Sequence, residues 1–186
     1  MLKKFSVFQL IIMALMAAVG VAVKPLLVGI AHLITGPLFI PGGALAGGFY
    51  MMFVVLGAAL VGKKGAATII CVVQALLVIV TGVYGSHGVA SLITYTAPGI
   101  LIDFLWILIG CYGTTMLSCF FGGIIANSCG AFFVNFVFFR LPVVPLLLSL
   151  ALAVFSGALG GIIAWKVRKL IVKHHIMPEL AQMEER

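Results

Sequence analysis

Apolar residues run in long stretches along this chain, and most interruptions are glycine, proline, lysine or arginine. The first stretch covers about residues 5–23 and meets Lys24-Pro25. Proline has no N–H for a helix ladder and disfavours helix in the residue before it, so the pair predicts an end or a kink. Residues 26–40 are apolar but broken by Gly29, Gly36 and Pro37, with Pro41 following. That pattern predicts a loop or re-entrant piece at one membrane face. Further spans are predicted over about residues 42–61, 66–83, 98–111, 116–138 and 145–169. Gly62-Lys63-Lys64, a loop from Tyr84 to about Ala97, Gly113-Thr114-Thr115 and Arg140-Leu141-Pro142 separate them. A bilayer core of roughly 30 Å needs about 20 apolar residues per helix. The expected fold is therefore an all-α membrane protein, a bundle of about six transmembrane helices with a broken outer segment after helix 1. Residues 1–173 form one transmembrane domain, and 174–186 a polar tail.

Composition sharpens this picture. Of 186 residues, 64% are hydrophobic and 8% charged, too few charges to cover a water-soluble domain. The net charge is +7, but Lys3, Lys4, Lys63, Lys64, Lys166, Arg168, Lys169 and Lys173 sit at the ends of apolar stretches. These are topology signals and need no nucleic acid. With six spans they share one face, while Lys24 and Arg140 are on the other. The positive-inside rule then places both termini in the cytoplasm of a multi-pass cell-membrane protein.

Several motifs carry little chemistry. The segment from Gly57 to Lys64 is one residue short of a P-loop, has Lys for the magnesium-binding Ser/Thr, and lies on a membrane helix. Cys71, Cys111, Cys119 and Cys129 sit in apolar surroundings without CxxC spacing and read as small hydrophobes. His174-His175 has no third ligand nearby, so no metal is expected. Three of the four carboxylate side chains, Glu179, Glu184 and Glu185, are in the tail. No catalytic constellation, ATPase motif or cofactor site is evident, and the chain reads as a non-enzyme.

The informative residues are the polar ones inside spans. Asp103 is the only acid in one, and an acid at mid-helix costs roughly 2.5–3.5 kcal/mol on insertion scales. With a helix starting at Pro98, Asp103 falls toward the outer face, as a ligand contact or as a structural partner of Arg140, Lys24 or a hydroxyl. Trp106, three residues on, shares its helix face and offers a stacking plane. Asn135 is a pocket candidate, and Asn127 a helix–helix contact. His32, Tyr84, His87 and Tyr95 fall on the outer side in loops. Ala14, Ala18 and Ala22 repeat at four-residue spacing, as do Gly43 and Gly47, and Ala153, Gly157 and Gly161. Such stripes let helices approach closely; the first is open to a partner and the others read as internal packing.

Size, six spans, both termini inside, the broken outer segment and the AxxxA-like Ala14-Leu-Met-Ala-Ala18 together resemble the substrate-binding S components of energy-coupling factor (ECF) vitamin transporters. Lys64-Gly65-Ala66-Ala67, Gly82-Val-Tyr-Gly85-Ser86-His-Gly88 and Gly99-Ile-Leu-Ile-Asp103 are similar to the YkoE-type thiamine/hydroxymethylpyrimidine branch. The resemblance implies high-affinity capture of a vitamin or precursor at the outer end, near Asp103, Trp106 and Asn135, with His32, Tyr84 and His87 on covering loops. It implies docking through Ala14 and Ala18 on a T component that works with two ABC-type ATPases. One carboxylate among few charges suggests a neutral or weakly cationic, ring-containing ligand. The alternatives are a stand-alone secondary transporter or channel coupled through Asp103, or a membrane scaffold without ligand.

Overall fold

The computed structural model describes residues 5–38, 40–82 and 88–174. Six α-helices dominate them: α1 Val7–Thr35, α2 Gly42–Val61, α3 Ala66–Thr81, α4 Ser91–Ile109, α5 Met116–Phe133 and α6 Val143–Lys173. Five, some with adjoining helical turns, are long and apolar enough to span a bilayer, and α3 is a shorter apolar helix. The chain is a multi-pass membrane bundle. The tail beyond His174 lies outside the described residues.

Prolines are where expectation and structure part. α1 runs through Pro25 to Thr35, and the break falls later, at the 3-10 turn Gly36–Leu38 and Pro41. Residues 26–35 are helix rather than loop. α4 likewise begins at Ser91 and carries Pro98 inside it. In water an internal proline costs about 3 kcal/mol. In lipid, leaving the helix would strand several backbone groups where water cannot reach them, which costs more than one lost bond. The other boundaries follow local chemistry. Ser6 and Gln9 form a capping box at the start of α1. Gly62 takes a left-handed conformation after α2.

α2 is the innermost helix, packed on α1, α5 and α6, while α3 pairs with α4 and α1. It can be innermost because it is thin. An added Cβ at Gly48 would lie 1.9 Å from the Ser156 carbonyl oxygen, and one at Gly160 2.0 Å from that of Gly48. Gly123 and Gly157 meet in the same way between α5 and α6. These backbone contacts fulfil the packing expected for the α6 stripe; of the pair on α2, Gly47 abuts the Asn127 side chain, whereas Gly43 is not packed against another helix. Asn127 ties the three helices, its Nδ2 donating to the carbonyls of Ala44 (3.0 Å) and Ala153 (2.9 Å). Outward faces are apolar and exposed, as at Leu33, Val80, Leu108 and Phe155, which suits lipid. Ala14, Ala18 and Ala22 lie on the exposed side of α1, unpacked by the bundle.

Candidate functional site

A cavity of about 490 Å³ opens where α1 ends and α2 begins. This is the end opposite the Lys63-Lys64 turn and Lys173, hence the outer end if the basic turns face the cytoplasm. α1 supplies Lys24, Val28 and His32, four residues apart along one helix face, and the turn after it supplies Gly36. α2 supplies Gly42, Gly43, Ala44 and, two turns in, Tyr50. The far wall is Gly130, Ala131, Val134 and Asn135. Asn135 sits in a π-helical turn, Val134–Phe138, that follows α5. Such a turn aims side chains differently from an α-helix and recurs at functional sites. An added Cβ at Gly43 or Gly130 would meet nothing closer than 3.6 Å, so these glycines keep the cavity open.

Lys24 is the unusual member. It is only 8% exposed, and an ammonium deep in a span costs roughly 2.5–3.5 kcal/mol without compensation. Its Nζ donates to the Tyr95 hydroxyl and lies 4.6 Å from the Tyr95 ring centroid and 5.7 Å from that of Tyr50. The Tyr50 ring offers cation–π attraction, while Tyr95 holds the ammonium through its hydroxyl. Across the cavity Asn135 Nδ2 donates to Ser149 Oγ on α6. A cation, an imidazole, a phenol and an amide around an apolar cleft supply the mix of directional and apolar contacts that ligand pockets have.

Of the residues expected at a site, His32 and Asn135 line this cavity. Tyr84 and His87 lie outside the described residues. Asp103 and Trp106 are together, as expected, but at the other end of the bundle. Because α4 starts seven residues before Pro98, Asp103 is deep in its second half. Asp103 Oδ2 accepts from the Thr68 amide (2.8 Å) and hydroxyl (2.6 Å) in the first turn of α3. That turn begins at Gly65, which supplies no side-chain cap. Asp103 therefore caps α3 from a neighbouring helix and places a negative charge at its positive end. Trp106 is fully buried, its Nε1 donating to the Ser118 carbonyl (2.8 Å). Of the structural partners foreseen for Asp103, the hydroxyl is the one present. Asp103→Ala should leave binding of any ligand in the cavity unchanged and lower Tm by roughly 6–12 °C, about 3 kcal/mol from two hydrogen bonds to a charged group. Thermal unfolding and assay of co-purified ligand check this; lost ligand at unchanged Tm would contradict it.

Lys24 and Tyr50 were the residues sequence reasoning missed. Lys24 read as a flanking charge because the helix was expected to stop there. The spacing of Lys24, Val28 and His32 becomes a signal only once Pro25 is allowed inside the helix.

Comparison with known proteins adds three findings. Residues 8–129 match the family model described as ABC-type cobalt transport system, permease component. The fold superposes on the crystal structure of an S-component of an ECF transporter with a TM-score of 0.76. The two chains are 19% identical, over 98% of this chain and 96% of that one, a likeness of fold. No curated protein matches the sequence.

Proposed function

Because the chain belongs to the family of ABC-type cobalt transport system permease components, we propose that it is the membrane-embedded, substrate-binding subunit of an uptake system. Its ligand is a vitamin or vitamin precursor, thiamine/hydroxymethylpyrimidine-like or another small ring-containing molecule. The observation that carries this reading is the 490 Å³ cavity, large enough for one such molecule and lined by few polar groups among apolar ones. The S-component fold and the three sequence pieces of the YkoE-type branch support it. The protein is non-catalytic; two ABC-type ATPases supply the energy through a T component that docks on the Ala14–Ala18 face. The exposure of that face supports docking.

Cobalt, named in the family description, suits the cavity less well. The lining offers one imidazole, His32, and the ammonium of Lys24 would repel a divalent cation. An ion-coupled transporter working through Asp103 is less favoured, since Oδ2 of that residue caps α3. The test is to purify the protein, denature it, and analyse what it releases by mass spectrometry and elemental analysis. A ring-containing vitamin or precursor near one per chain is expected. Stoichiometric cobalt in its place would overturn the reading.

A further inference from the structure

We infer that the ligand carries an anionic group, a carboxylate or a phosphate, and that Lys24 holds it; this rests on the cavity being the binding site of an uptake subunit. Lys24 is buried and lines the cavity. Its contacts among the described residues are the neutral Tyr95 and Tyr50. An ammonium has three N–H donors, and the Tyr95 hydroxyl takes one. The chain has four Asp and Glu residues in all. Asp103 is engaged at Thr68, and the three Glu follow the far end of α6 in the sequence. No carboxylate lines the cavity among the described residues. The protein thus brings a positive charge into a low-dielectric site without the counter-charge that buried ammonium groups normally have.

Helix ends of both signs border the cavity. α2 begins on the cavity wall at Gly42 with no side-chain cap, so the positive end of its dipole borders the space. At the same rim the carbonyl ends of α1 and of the turn after α5 are partly tied back by their own chain, as is the start of α2, where Ala44 N donates to the Pro41 carbonyl. Ile40 N donates to the Thr35 carbonyl, Phe139 N to that of Val134 and Leu141 N to that of Asn135. The full charge among the described lining residues is the ammonium of Lys24, and it is positive. An anionic group pairs with it, whereas a neutral or cationic ligand leaves Lys24 unpaired. This reverses the neutral or weakly cationic ligand that the charge inventory alone suggests.

The full-length protein and its Lys24→Met and Lys24→Arg variants are purified alike, and what each releases is identified by mass spectrometry. Melting temperature is then measured with nicotinate against nicotinamide, 4-aminobenzoate against 4-aminobenzamide, and biotin against biotin amide. Wild type is expected to release an acid, or to be stabilised by the carboxylate member of a pair. Lys24→Met should lower occupancy or affinity at least about tenfold, the usual effect of losing a charged hydrogen bond. Lys24→Arg should stay within about threefold, and ligand-free Lys24→Met should melt no lower than ligand-free wild type. A neutral or cationic molecule, thiamine included, would overturn the inference and leave the uptake reading standing, as would an acid held equally by Lys24→Met. A phospholipid as the bound anion would keep the anion site and overturn the uptake reading. Wild type that releases nothing and responds to no member of any pair would overturn both.

Discussion

Tryptophan at both Ala14 and Ala18 is expected to abolish ATP-driven uptake in cells while leaving the purified subunit folded and loaded with ligand. The two alanines lie one turn apart on α1, and neither is packed by the bundle. Their neighbours Ile11 and Leu15 are also exposed, so this side of α1 faces lipid or another protein. Were these alanines in the core, tryptophan would overpack it at about 1–3 kcal/mol per site. Their exposure removes that effect, and the melting temperature should hold. Lys24 begins the cavity six residues beyond Ala18, about 9 Å along the axis, so ligand capture should also persist. What two indole rings do prevent is close approach of a partner helix, for which only small side chains leave room. Uptake, affinity and co-purification with the T component, measured on the one double mutant, decide the matter. Full uptake would remove the docking role.

The second large effect comes from a single methyl group. Gly160→Ala should destabilise the protein by about 3 kcal/mol or more, while Gly29→Ala should stabilise it by up to about 1 kcal/mol. Alanine is the better helix former at both positions. At Gly29, in α1, a Cβ meets nothing within 4 Å, so only propensity counts. At Gly160 it would lie 2.0 Å from the Gly48 carbonyl oxygen and 2.7 Å from its carbon. Backbone cannot rotate away as a side chain can, so α6 must move off α2 and its contacts loosen along the seam. Thermal unfolding in detergent should separate the variants, roughly 6–12 °C down for Gly160→Ala and 2–4 °C up for Gly29→Ala. Equal melting temperatures would mean that the helices do not meet backbone to backbone.

These two cases mark what could be read from the chain. Apolar runs located the spans because bilayer thickness fixes helix length. α2 matches its expected limits, and α3 starts where predicted, after Gly65. The stripe from Ala153 to Gly161 announced close packing on α6, but its partners on α2 and α5 are a tertiary matter. Prolines misled twice. A rule learned in water made Pro25 an end or a kink and Pro98 a start, whereas α1 runs over three turns past residue 23 and α4 begins about two turns before Pro98. The shift at Pro98 sent Asp103 to the wrong end of the membrane in expectation. The missing cap at Gly65 was a usable signal that α3 needs an acceptor from elsewhere. The site was half legible: His32 and Asn135 stood out as polar residues near a boundary. Lys24 did not, because a lysine beside a predicted helix end looks like a topology signal whichever way its side chain turns.

The unequal helix lengths bear on the surrounding lipid. α3 has 16 residues and α4 has 19, about 24 and 28 Å at 1.5 Å per residue. α1 has 29 and α6 has 31, about 43 and 46 Å. A hydrocarbon layer of roughly 30 Å cannot match both. The long helices tilt or extend into the headgroups, while beside α3 the acyl chains must compress. That elastic strain, a fraction of a kcal/mol per ångström of mismatch, favours short-chain lipids against the α3–α4 flank. Membrane thickness thereby becomes a variable that acts on the subunit from outside, and a thinner bilayer is the one in which that flank rests relaxed.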